Sequence, residues 1–205
     1  MPHINNGNEF PGWREIDFYR IINLNPGEVK SYKRKSLKEI LFACEGNCSV
    51  RIDDQLKYLV QGEIINLNYK NEIIIESENS AVLIIVGGRW NDEIGSYGIF
   101  SLDNSSTPKN IGDPVQYERT TEFDNHFHDC DELWIIYSGS GLAVSENKFY
   151  NVKAGECIAT KMGDHHDFPK VYETVKGIWF ETSLKGKKRK GHLWNHTHGK
   201  PEVIK

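Results

Sequence analysis

Four cysteines in 205 residues are too few to staple a fold. Cys44 and Cys48 lie close together, but no second Cys/His pair completes a zinc-knuckle spacing. No apolar run approaches the length of a membrane span, and the polar stretch from Met1 to Phe18 lacks the apolar segment of a secretion signal. The expectation is a cytoplasmic protein with reduced thiols. Charge of one sign is missing as well: a net charge of −4 recruits neither nucleic acid nor an anionic membrane. There is no glycine-rich phosphate loop and no Ser/His/Asp order of a hydrolase. Helical periodicity is nearly absent, apart from a weak pattern around Ser36–Leu41.

What is present is strand chemistry. Ile40–Cys44, Ser49–Ile52, Ile64–Leu67, Ile73–Glu76 and Ala81–Val86 are short apolar runs separated by Gly, Asn and Asp turns. From Gly87 to Asn125 the texture changes to Gly87-Gly88, Asn104-Ser105-Ser106 and Thr107-Pro108, which is turn and linker chemistry. Strand character returns at Leu133–Tyr137, where Ser138-Gly139 reads as a closing turn. It continues through Leu142–Ser145, Lys148–Val152, Cys157–Thr160 and Gly177–Glu181. Such spacing predicts an all-β sandwich or barrel.

Chemistry concentrates at His126-Phe127-His128-Asp129-Cys130-Asp131-Glu132, with His166 further on. On a strand beginning near His126, positions 126, 128 and 132 project to one side. Two imidazoles and a carboxylate would then converge, and His166 would add a fourth donor, with its neighbour His165 turned the other way. Imidazole suits several transition metals, and a carboxylate tilts the set toward harder, octahedral ions. Cys130, Asp131, Lys161, Asp164 and Glu181 are the expected polar neighbours of such a pocket, with Trp134, Tyr137, Trp179 and Phe180 as barrel core.

The sequence also repeats. A shift of 93 positions places Glu39 on Glu132, Gly46 on Gly139 and Gly62-Glu63 on Gly155-Glu156. It also superposes the turn Asp53-Asp54 on Glu146-Asn147. Self-similarity at a long fixed period predicts a duplicated β domain. Under that alignment Lys33, Lys35 and Ile73 stand where His126, His128 and His166 stand in the second copy, so the first copy keeps only the carboxylate. Both lysines are expected to be solvated.

These residues resemble the motifs of the cupin superfamily. The first motif, Gly-x5-His-x-His-x3,4-Glu-x6-Gly, is matched by His126, His128, Glu132 and Gly139, with Thr120 replacing the opening glycine. The second, Gly-x5-Pro-x-Gly-x2-His-x3-Asn, is matched by Gly155, Gly163 and His166, with Lys161 and Lys170 replacing proline and asparagine. The resemblance covers residues 115–182 well and 20–88 more loosely, through Gly27, Glu39, Gly46 and Gly62. It implies a bicupin, two double-stranded β-helix (jelly-roll) barrels. The second would hold one divalent ion (Mn, Fe, Zn or Ni) on His126, His128, Glu132 and His166.

The expected organisation is an irregular leader at 1–18, a degenerate barrel at 19–90 and a linker at 91–114. A metal-binding barrel at 115–184 and a tail at 185–205 follow, the tail carrying the basic run Lys185–Lys190 and His192, His196 and His198. Trp194 could anchor that tail over the pocket. Three activities stay open: an isomerase or epimerase of a small polar oxygenated substrate with Glu132 as catalytic carboxylate, an Fe- or Mn-dependent dioxygenase or oxidase, and a non-catalytic ligand-binding module. The expected partner is a small molecule, with no nucleic acid and no membrane, and a homodimer is compatible with this reading.

Overall fold

The computed structural model describes residues 3–5, 10–67, 72–91, 94–108, 112–184 and 191–202. In chain order the first strands are β1 (His3–Ile4), β2 (Ile16–Leu24), β3 (Val29–Lys33), β4 (Lys38–Glu45), β5 (Cys48–Ile52), β6 (Gln55–Leu59) and β7 (Ile64–Asn66). They continue with β8 (Glu72–Glu76), β9 (Ala81–Gly88), β10 (Tyr97–Leu102), β11 (Glu132–Ser145), β12 (Lys148–Lys153), β13 (Cys157–Thr160) and β14 (His166–Glu181). One short helix, α1 (Asn195–His198), follows. The architecture is all-β, and no helix among the described residues is long and apolar enough to cross a membrane. The weak helical pattern around Ser36–Leu41 yields to strand β4. Its core residues Ile40–Cys44 are fully or almost fully buried, and burial on both faces produces a continuous apolar run without period-2 alternation.

The chain divides into two compact units, one of residues 15–90 and one of residues 1–14 with 91–205. The first unit is a pair of four-stranded antiparallel sheets, ordered β2-β9-β4-β7 and β3-β8-β5-β6. Its interior is filled by Tyr32, Leu41, Val50, Leu59, Leu67, Ile73, Ile75 and Leu83, among others. In the second unit β11 and β14 pair along nearly their whole lengths, and β1, β10, β12 and β13 extend the sheet around them. Trp134, Ile136, Ala143, Val152, Ile158, Phe168, Val171 and Val175 make its core.

Pairing registers recur 93 residues apart. Leu41 faces Ile65 as Trp134 faces Ile158, and Val50 faces Lys57 as Ala143 faces Tyr150. The amide of Gly62 donates to the Ala43 carbonyl, and that of Gly155 to the Ile136 carbonyl, each at 2.9 Å. Both glycines have φ of 92°, and Asp53 and Glu146 share a left-handed φ of 50° and 48° in the matching hairpin turns.

Three sequence expectations change here. Ser138-Gly139 does not end a strand but kinks β11, which runs on to Ser145 through register shifts. Gly139 takes φ of +78°, and a Cβ there would collide with the Thr174 carbonyl. The segment expected as a linker, 91–114, contains β10, which pairs with β14 from Tyr97 opposite Phe180 to Leu102 opposite Val175. The expected leader contributes β1 to the second unit and the start of β2 to the first. β3 and β6 escape a reading by periodicity because both are mostly exposed edge strands with little apolar alternation.

The kink carries a prediction. Gly139→Ala combines left-handed strain with a backbone clash and should destabilise the fold by about 2–4 kcal/mol. Gly155→Ala, equally left-handed but with open space around its Cβ, should cost only about 1 kcal/mol. Urea melts of the two variants yielding equal losses would contradict this account of the bulge.

Candidate metal centre

The four donors arrive by a route that simple strand alternation does not describe. β11 begins only at Glu132, and residues 128–131 precede it as a loop. His126 is placed instead by an isolated antiparallel bridge to His166, the amide of each donating to the carbonyl of the other at 3.2 and 2.8 Å. Directly opposed residues of such a pair bring their side chains together, and these two rings lie 4.4 Å apart. His128 is pinned by the Gly163 amide, which donates to its carbonyl at 3.0 Å from a turn where Gly163 has φ of +81°. Trp134, two residues beyond Glu132 on the same face of β11, packs edge-on beneath His166 at 5.2 Å.

The donor atoms of His126, His128, Glu132 and His166 all lie within 4.8 Å of one another. The Nε2 atoms of His126 and His128 are 2.9 Å apart, and Glu132 Oε2 is 2.7 Å from His166 Nε2 and 3.6 Å from His128 Nε2. All four residues are at most 5% exposed. Glu132 Oε2 and His166 Nε2 nonetheless lack a well-formed hydrogen bond. Buried polar atoms of this kind are costly unless something satisfies them, and a cation between converging lone pairs does so. The group could hold a metal ion.

The opposite ring nitrogens are held from outside. His126 Nδ1 lies 2.8 Å from the Asp124 carbonyl, His166 Nδ1 lies 3.0 Å from the Asp164 carbonyl, and His128 Nδ1 lies 3.2 Å from Glu181 Oε1. Acceptors at the Nδ1 of His126 and of His166 favour the tautomer that keeps its proton there and leaves Nε2 as a bare donor, the arrangement found around metal-ligating histidines. The Glu181 carboxylate stands beside His128 Nδ1 without a well-formed hydrogen bond to it.

Electrostatics separate the rings. Burial, reinforced by the neighbouring His166 and His128, pushes His126 down to about 3, so it stays neutral. Burial also works against charge on His128, but Glu132 and Glu181 outweigh it and raise the ring above its ordinary value. Burial opposes ionisation of Glu132, yet His128 and His166 hold it below the usual carboxylate range.

Four of the five residues expected to line a polar pocket, Cys130, Asp131, Asp164 and Glu181, make supporting contacts around the site. Glu181 backs His128, and the Cys130 thiol lies 3.7 Å from Glu181 Oε2 with its proton held by burial. Asp131 Oδ1 accepts the Met162 amide, and Asp164 acts through its carbonyl. His165 does turn away, its Nε2 lying 2.8 Å from Asp113 Oδ2. Asp113 and Asp124 are the site residues that sequence reasoning passed over. They lie in a stretch of turn chemistry, and only the folded contacts reveal them. Of the tail, residues 191–202 are described and His192–His196 contact this site and its supports, while the basic run Lys185–Lys190 lies outside the described residues.

In the first unit the corresponding positions form no such cluster. Glu39 Oε1 accepts the Ser36 amide at 2.8 Å and the Tyr32 hydroxyl at 3.1 Å, so protein groups alone satisfy it. Ile73 belongs to the apolar core, and Lys33 and Lys35 are exposed, as expected.

Antiparallel jelly-roll strands around this buried cluster define a cupin-fold protein. Solved structures agree on the fold. Oxalate decarboxylase of Bacillus subtilis, an enzyme with Mn(II) centers, superposes with a TM-score of 0.58 at 10% identity, over 92% of this chain and 74% of that one. An IolB-like protein from Salmonella typhimurium LT2 gives 0.56 at 12% identity, over 96% and 93%. Protein Ylba from E. coli gives 0.51 at 12% identity, over 91% and 92%. The chain belongs to the family of protein y4oW from Sinorhizobium fredii (strain NBRC 101917 / NGR234), to which it is 36% identical over 205 residues, 99% of this chain and 94% of the relative. No family model matches the sequence.

Proposed function

We propose that the protein is a metal-dependent cupin enzyme that acts on a small polar, oxygenated substrate by isomerase or epimerase chemistry. We further propose that it is a bicupin in which only the second barrel binds an ion. The observation that carries the reading is the convergence of three imidazole nitrogens and one carboxylate oxygen within 4.8 Å, with His126 and His166 hydrogen-bonded at Nδ1 and the Glu181 carboxylate 3.2 Å from His128 Nδ1. The Mn(II) centers of the Bacillus subtilis oxalate decarboxylase give a precedent for a resident ion on this fold. The duplication is supported by the recurrence of strand registers and turn conformations 93 residues apart.

Three neutral imidazoles and one carboxylate leave a divalent ion with net positive charge, which favours oxygen-rich, anionic ligands over apolar ones. Bound there, such an ion supplies Lewis acidity to a carbonyl or hydroxyl oxygen and so acidifies the adjacent C–H. The chain itself supplies the carboxylate. Glu132 is held ionised by His128 and His166, and its Oε2 faces the centre without a hydrogen bond of its own. We assign it the proton transfer.

The deciding assay uses protein loaded with Zn, Mn or Fe and a panel of sugars, sugar phosphates and oxo acids, run anaerobically and in air. Turnover with a redox-silent ion and without O₂ is expected, and Glu132→Gln should reduce the rate more than it reduces metal content. Activity confined to the Fe or Mn protein in air would replace this reading with an oxygenase. Ligand affinity without conversion under any condition would leave a binding module.

A further inference from the structure

We propose that the C-terminal segment Gly191–His198 is a working part of the metal centre, a strap in which His192 positions the His126 ring and which must lift for an ion to enter or leave. The proposal rests on the metal-centre reading and adds to it a segment outside both cupin motifs.

The strap is fastened on top of the ligands themselves. Leu193 and Phe127 exchange two backbone hydrogen bonds of 3.0 Å each, and Phe127 is the residue between His126 and His128. That bridge delivers His192 onto His126, the rings stacking at 3.8 Å and 8°, and edge-on toward His128 at 5.5 Å. Asp124 ties the two rings together: its Oδ1 lies 3.5 Å from His126 Nδ1 and 3.4 Å from His192 Nδ1. The other oxygen of Asp124 accepts the Trp194 indole N–H at 2.8 Å. A single buried carboxylate therefore joins a ligand ring to two strap residues.

A second buried carboxylate latches the far end. Asp113 Oδ2 accepts the Asn195 amide at 2.7 Å, and its Oδ1 lies 2.7 Å from His196 Nδ1. The amide of Asp113 donates to the Asn125 carbonyl at 2.8 Å, next to His126, so the latch shares a backbone with the ligands. Burial decides what this arrangement does. The four donors are at most 5% exposed, whereas the His192 side chain, in van der Waals contact with His126, is 48% exposed. His192 therefore stands between the His126 ring and solvent. An ion passing on that side requires the strap to move, and its fastenings are a few hydrogen bonds and one ring stack.

The test uses full-length protein loaded with Co(II), whose visible absorption reports ligand geometry. It compares wild type with His192→Ala, Trp194→Phe and Asp113→Asn, each checked by thermal melting. We expect all three variants to hold close to the wild-type Co content at saturation and to lose the ion to excess EDTA at least ~10-fold faster, the size of effect seen when groups behind metal ligands are removed. His192→Ala should also shift the Co(II) spectrum, which a merely structural tail would not do. Trp194→Phe keeps an aromatic side chain, smaller than the indole and without its N–H, so it tests the fastening even where a more drastic change disturbs folding. Release rates within about twofold of wild type, with an unchanged spectrum, would overturn the strap while leaving the centre standing. A wild-type chain that binds no Co(II) would bring down the centre and the strap together.

Discussion

His128→Ala is expected to reduce bound metal from about one ion per chain to below ~0.1 after dialysis, because it leaves three donors and an uncompensated Glu181 behind them. Lys35→Ala, at the corresponding position of the first unit, should leave the metal content unchanged. The contrast follows from where the two carboxylates spend their lone pairs. Glu39 is satisfied by the Ser36 amide and the Tyr32 hydroxyl, and Ile73 fills the space that His166 takes in the second unit. Among the described residues, the partners of Glu132 Oε2 are the imidazoles of His128 and His166. The second unit should remain folded in His128→Ala, since Trp134, Phe168 and Ile158 belong to a hydrophobic cluster that does not include that ring. Elemental analysis of the two purified variants is the measurement. Two ions per wild-type chain, or unaltered content in His128→Ala, would refute the assignment.

How much of this was legible in the sequence depends on how local the determinant is. The four candidate donors could be read because spacing along the chain and a repeat of 93 residues isolate them, and the structure brings all four together. Strand alternation alone does not account for their convergence. Alternation along one strand cannot deliver His126, since a loop separates it from Glu132; the bridge to His166 does so. That bridge joins residues 40 apart, and no periodicity reports it. The same holds for β10, whose YGIFSL run sits among turn residues and becomes a strand through its pairing with β14. Gly139 was noticed as turn chemistry, and correctly needs a left-handed φ, but a β-bulge and a turn ask for the same residue. Asp113 and Asp124 were invisible for the most physical of reasons. Buried aspartates in irregular segments are indistinguishable from solvated ones until their partners, here His196 and Trp194, arrive from 83 and 70 residues away.

Metal affinity should fall steeply on acidification, and His128 should set where the fall begins. A ring binds an ion only when neutral, so protons compete at each ligand. His126 takes little part above about pH 4, because burial first, and then the adjacent His166, hold its value near 3 against an ordinary 6.5. His128 behaves oppositely. Burial resists its charge, but Glu132 and Glu181 prevail and raise it, so its competition starts above the ordinary histidine value. In the metal-free chain the two rings act on stability in opposite directions. His126 refuses a proton that the unfolded chain accepts, so its contribution to stability falls as pH drops from ~6.5 toward 3. Charged His128 stabilises the fold fully below ~6.5, and that contribution is lost as pH rises through its raised value. Glu181→Gln removes one of the two carboxylates that raise His128. It should move the onset of metal loss to lower pH, while weakening binding at pH 8 by about 10-fold through loss of the carboxylate charge beside Nδ1. Zn or Co titrations of wild type and Glu181→Gln between pH 5 and 8, with affinity plotted against pH, test both parts. Equal affinity at pH 5 and pH 7.5 would exclude histidine ligation, and an onset unmoved in Glu181→Gln would remove Glu181 from control of His128.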